Sequence, residues 1–167
     1  MPRQLPMPPS RLPALIRTDF SDDAAWNDLV TYLLTERYIE DISDNMAAYV
    51  APIDDRQYEG MTMEELLEMV PNLDYDPSDP AINWDAQPKH FPNEPDRALH
   101  AYIVDARTFA KPDRPILAVN FFLDHGQYFR LAAEAMVLVE ANLSIGNLDF
   151  GDYDGGAEIE PDHIYRA

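Results

Sequence analysis

A single α/β domain, a central mixed β-sheet of about five strands flanked by about three helices, is predicted by three features of the sequence. A short apolar run, 14–17, passes at once into a capped amphipathic helix. Two further apolar runs, 100–105 and 116–123, read as strands, the second leading into an Asp-His-Gly turn. A chain of 167 residues also suffices for one proper core but not for two comfortable ones.

The elements follow in order. Residues 1–12 form a Pro-rich arm, and Ala14 to Arg17 is short and apolar enough to enter a sheet. Ser21 is the expected N-cap, its hydroxyl placed to accept from a free amide of the first turn. Asp22 and Asp23 add negative charge where the helix dipole favours it. Trp26, Leu29, Val30, Leu33 and Leu34 then recur at helical period along one face. Arg37 to Asn45 is a polar, acidic connection, and Met46 to Ile53 reads as a second strand, which implies a parallel crossover from the first. Thr62 and Glu65 have the spacing of a capping box opening a short helix, which Pro71 stops.

Six prolines between 71 and 97 rule out regular structure there and predict a long loop, with Tyr75, Trp84 and Phe91 packing parts of it down. After the strands at 100–105 and 116–123, Gly126 serves the turn, and Gln127 to Leu131 returns antiparallel. A helix over 132–141 and a strand over 143–148 complete the domain at residue 150. Residues 151–167 are left as an acidic, Gly-bearing tail.

Composition narrows the function classes. The chain has no cysteine, which removes disulfides, thiolate metal sites and a cysteine nucleophile. No signal-peptide pattern and no membrane-length apolar run occurs, so a soluble cytoplasmic protein is expected. The net charge of −19 is uneven: residues 18–88 hold 18 acidic groups against 2 basic ones. Such a field opposes direct binding to nucleic acids and anionic membranes and favours a basic protein partner. The same charge also serves solubility.

The strongest candidate site is the mouth beyond the first strand, where open α/β sheets collect ligands. Asp19, Asp22 and Asp23 lie there, and Asp105 ends another predicted strand. With the strands parallel, Asp19, Asp22 and Asp105 can converge on Mg²⁺ or Ca²⁺, which prefer oxygen ligands. The simpler reading is that Asp22 and Asp23 merely favour the helix start. Trp84 is the candidate for a ligand pocket closed by the 71–97 loop. Residues 74–79 fail as a calcium loop because Asp79 stands where Gly is needed, and no Gly-rich phosphate loop occurs. The four histidines show no ligand spacing, and the serines lack a nucleophile-elbow context. His125 in its turn reads as solvated, and Tyr128 and Phe129 read as core.

Three blocks carry a family resemblance: Leu15 to Trp26 (LIRTDFSDDAAW), Gly126 to Arg130 (GQYFR) and Asn142 to Phe150 (NLSIGNLDF). In these the chain resembles a microbial family of unknown function. The resemblance implies a small single-domain α/β protein and supplies no catalytic residues. Ala132 to Met136 departs from the family's pattern of a proline before a tryptophan-containing helix start. The expectation is therefore a non-enzymatic, acidic interaction or accessory protein that binds a basic partner. The alternative is a divalent-metal-assisted enzyme using the strand-end carboxylates.

Overall fold

The structure, a computed structural model, describes residues 12–70, 99–122 and 124–167. The first strand, β1 (Ala14–Arg17), is buried along its whole length and feeds helix α1 (Asp23–Leu34). Asp22, not Ser21, caps α1: its carboxylate accepts the Ala25 N–H at 2.9 Å, while the Ser21 N–H donates to Asp19. A charged oxygen is the better acceptor for an exposed first-turn amide than a hydroxyl. Of the five stripe residues Trp26, Leu29 and Leu33 are buried and Val30 is half-buried, whereas Leu34, at the end of the helix, is exposed.

The next stretch differs from expectation. The acidic connection contains a strand, β2 (Arg37–Ile39), paired antiparallel with β3 (Asp44–Met46) as a separate two-stranded sheet. The strand expected over 46–53 is divided between β3 and β4 (Ala51–Ile53). β4 pairs with β1 in parallel, as the crossover requires, and forms one edge of the main sheet. An edge suits Pro52, which has no N–H to donate. Helix α2 (Met63–Met69) opens on the complete capping box of Thr62 and Glu65.

Strand β5 (His100–Val104) pairs in parallel with β1 and antiparallel with β6 (Ile116–Asn120), and the four-residue helix α3 (Ala106–Phe109) lies between them in sequence. The turn at 124–126, with Gly126 at φ 91°, returns the chain as β7 (Tyr128–Leu131), antiparallel to β6. Helix α4 (Met136–Ile145) then runs through the start of the expected strand 143–148. Gly146, at φ 67°, closes it in the left-handed conformation that glycine adopts without strain.

The expected tail carries helix α5 (Phe150–Glu158) and strand β8 (Ile164–Tyr165), which pairs in parallel with β7. The main sheet is thus six-stranded, ordered β4-β1-β5-β6-β7-β8. Only β6 opposes the other strands, so the carboxyl ends of β4, β1 and β5 lie side by side. Alternation along the strands divides the core between the two faces. Leu15, Tyr102, Val104 and Phe129 pack with α1, α4 and α5, whereas Ile16, Ile103 and Val119 pack with Tyr58, Met61 and Leu66. The loop 71–97, with Tyr75, Trp84 and Phe91, and the arm up to residue 11 lie outside the described residues.

Candidate functional site

The ends of β1 and β4 meet around Arg17, a charged residue that closes an otherwise apolar strand and is itself 2 % exposed. Its Nε donates to the Asp19 carbonyl at 3.0 Å, Nη2 to the Asp23 carboxylate at 2.6 Å and Nη1 to the Asp54 carboxylate at 3.2 Å. The guanidinium lies 4.3 Å from the Phe20 ring centre and 5.6 Å from that of Trp26. A desolvated guanidinium needs such partners, because burying it bare would cost several kcal/mol. Arg17, Phe20, Asp23, Asn27, Asp54 and Arg56 line an open depression of about 340 Å³.

This arrangement separates the carboxylates of the expected site. Asp23 joins Asp54 through Arg17, a partner 37 positions from the arginine in sequence. The Asp19 side chain accepts from the Ser21 N–H, and Asp22 caps α1. Asp105 caps α3 through Thr108 and takes both amino groups of Arg130, at 3.0 and 2.5 Å. Burial pushes the Asp105 carboxyl up, but the Arg130 guanidinium and the Thr108 bonds outweigh it and hold it below the ordinary aspartate value. Among the described residues no group of three His, Asp or Glu side chains is placed to hold a metal ion. Trp84 lies outside the described residues.

The Glu140 network was not singled out from sequence, and His125 was read differently. Glu140 of α4 is 1 % exposed, and its Oε2 accepts from the Tyr102 hydroxyl and from His100 Nε2, the latter at 2.8 Å. Burial, then the adjacent Glu140, holds the Tyr102 phenol well above its ordinary value. A lone Glu in an apolar helix is the signal that could have exposed this network. His125, read as solvated, instead donates from Nε2 to the Val70 carbonyl at 2.7 Å and ties the β6–β7 turn to the end of α2. Of the two aromatic residues read as core, Phe129 is buried and Tyr128 is exposed.

None of the curated proteins and none of the solved structures compared with the chain matches it. No described helix is long and apolar enough to cross a membrane. A family model matches from two residues before β1 to residue 167, beyond β8. Through that match over residues 12–167, the chain belongs to the family described as Domain of unknown function (DUF6924).

Proposed function

We propose that this protein is a non-enzymatic interaction protein whose acidic face receives a basic protein partner. One observation carries the reading: large apolar side chains stand in solvent on and beside a hairpin whose Glu36, Glu40, Asp41 and Asp44 are also exposed. Leu34, Tyr38, Ile42 and Tyr49 are 42 %, 63 %, 42 % and 53 % exposed, and all lie on or beside the β2–β3 hairpin. Between residues 18 and 70 there are fourteen carboxylates against Arg37 and Arg56, and thirteen of the fourteen are exposed. Protein interfaces combine apolar anchors, Tyr prominent among them, with a polar rim that sets specificity and speeds association. An acidic rim selects a basic partner and repels nucleic acid phosphates and anionic lipid. The alternative, an enzyme using Mg²⁺ or Ca²⁺ on Asp19, Asp22 and Asp105, has less support, because Asp105 is already neutralised by Arg130 and Asp22 is engaged in capping.

The test is affinity capture on the immobilised protein at moderate salt. Two folded variants run alongside: Y38A/Y49A, and the charge reversal E40K/D41K/D44K. The expected result is a basic protein retained by the wild type and lost by both variants. Capture of background alone, or equal capture by all three proteins, overturns the proposal.

A further inference from the structure

We propose that the Pro-rich arm, residues 1–11, docks on the β2–β3 hairpin face of its own chain and covers it in the free protein. As regulation of a basic partner the contact rests on the reading given for that face, but as a contact within one chain it stands or fails alone. The point at which the arm joins the fold is set by Pro13, which is buried and whose carbonyl accepts the Ala51 N–H at 2.9 Å.

Ala14 pairs with Ala51 in parallel register, so the chain before Pro13 leaves the sheet beside Val50 and Tyr49. A parallel crossover carries the chain from the carboxyl end of one strand back to the amino end of the next. Helix α1 makes that return, and the Ala48 N–H donates to the Leu33 carbonyl at 2.9 Å near its end. The end of α1, the hairpin and the arm's point of departure therefore lie at one end of the sheet. Met46, the last residue of β3, precedes Ala51 by at most about 18 Å of extended chain. Eleven residues in a polyproline helix span about 34 Å, enough to cross a hairpin of three-residue strands.

The arm and the face match in chemistry as well as in place. Residues 1–11 hold Arg3 and Arg11, no acidic group and four prolines, with Met1, Leu5 and Met7 among them. The face presents Glu36, Glu40, Asp41 and Asp44, all exposed. Its one arginine, Arg37, donates to the Tyr32 carbonyl and lies against the Tyr32 ring. Tyr38 and Tyr49 stand in solvent between these charges and the arm's exit. Open aromatic rings are the surface on which proline-rich segments pack, because a polyproline helix loses little entropy on binding. The tether decides the balance. A segment attached beside its docking surface is present at an effective concentration in the millimolar range, so a contact too weak to hold a free peptide is populated within the chain. A basic partner must then displace the arm, which restricts the face to partners that bind more tightly than it does.

The chain has no cysteine, so Gln4→Cys provides a single site for a nitroxide label in the arm of the otherwise complete protein. At about 10 mM NaCl, where the screening length is about 30 Å, the label should erase amide signals over residues 36–50. Signals of β7 and β8, at the other edge of the sheet from β4, should remain. R3E/R11E and Y38A/Y49A should each restore most of the lost intensity, and so should about 1 M NaCl, which cuts the screening length to about 3 Å. Tyr38 and Tyr49 are exposed, and the same spectra report whether each variant is folded. Loss that persists in either variant comes from the tether alone and overturns the proposal, as does the absence of any loss over 36–50. Loss of the same signals in label-free protein mixed with labelled protein overturns it too, because the arm then docks on a second copy. No outside partner enters these measurements, so a failed capture experiment and a failed docking experiment are told apart.

Discussion

Glu140 is the only acidic side chain among the described residues that is fully enclosed, and two groups depend on its place. A carboxyl group at 1 % exposure is tolerated because Tyr102 and His100 both bond to it, and each of those would itself be buried without a partner. Glu140→Ala removes the acceptor, strands two buried polar groups and leaves a void beneath α4. The expected loss is about 3–5 kcal/mol, the range for breaking a buried polar or charged pair by removing one side. Glu140→Gln keeps the volume and one acceptor oxygen, so its loss should be nearer 1–2 kcal/mol. Urea unfolding of the two variants checks the order, and equal midpoints would show that the network contributes little. The residue scale is also where the sequence was least legible. Asp19, Asp22 and Asp23 could be placed at the end of β1 from their positions, but not assigned their partners. Arg17 finds Asp54 only because β1 and β4 pair, and Asp105 finds Arg130 across 25 positions. Partner choice of that kind depends on register, which a linear pattern does not contain.

Helix α5 shows how far local rules carry. It holds Gly155 and Gly156 in adjacent interior positions, where each glycine costs about 1 kcal/mol relative to alanine. Only one of them has a steric reason. A Cβ at Gly156 would lie 3.0 and 3.1 Å from ring carbons of Tyr165, and that ring is fixed in β8 and packed edge-on against Tyr153 at 5.0 Å. A Cβ at Gly155 would meet nothing within 4 Å. Gly155→Ala should therefore stabilise the fold by about 0.5–1 kcal/mol, and Gly156→Ala should destabilise it despite the same gain in helix propensity. Denaturant midpoints of the two variants moving in the same direction would contradict this account. The same glycines explain why 151–167 read as a tail: they weaken every local helix signal, and β8 is only two residues long, paired with β7 and packed against α5. Elements with dense local signals were legible. The α1 stripe, the Thr62–Glu65 box and the β6–β7 hairpin each combine apolar period with capping or turn chemistry inside a short window. The expected strand at 143–148 failed because Leu143 and Ile145 fit either period, and Gly146 decided for the end of a helix only once α4 had formed.

For the whole molecule, charge sets a stability that depends on salt. At a net charge of −19, folding draws carboxylates together, most of all between residues 18 and 70, where fourteen of them face two arginines. Added salt relieves that repulsion, shortening the screening length from about 30 Å at 0.01 M to about 10 Å at 0.1 M. Salt also weakens ion pairs, so the sign depends on which pairs matter. The side chains of Arg17 and Arg130 are 3 % and 10 % exposed, and pairs anchored at such depth are screened little. The exposed pairs, such as Arg56 with Glu59, are worth about 0–1 kcal/mol each even without salt. Relief of repulsion therefore wins, and the melting temperature should rise between about 10 and 200 mM NaCl, with each kcal/mol worth about 2–4 °C in a chain of this size. Chloride is the right salt, because sulfate stabilises proteins by exclusion from their surface whatever their charge. A variant separates this mechanism from a general salt effect. Glu68 lies exposed in the last turn of α2, four residues after Glu64. Glu68→Lys removes a like-charge pair, creates an attractive one and places a cation where the helix dipole favours it. Its melting temperature should exceed the wild type's at low salt, and the two should converge as NaCl rises. A wild-type melting temperature that stays flat or falls with NaCl would show that the acidic face is held in balance by its ion pairs, and a Glu68→Lys gain that persists at high salt would assign the effect to the helix alone.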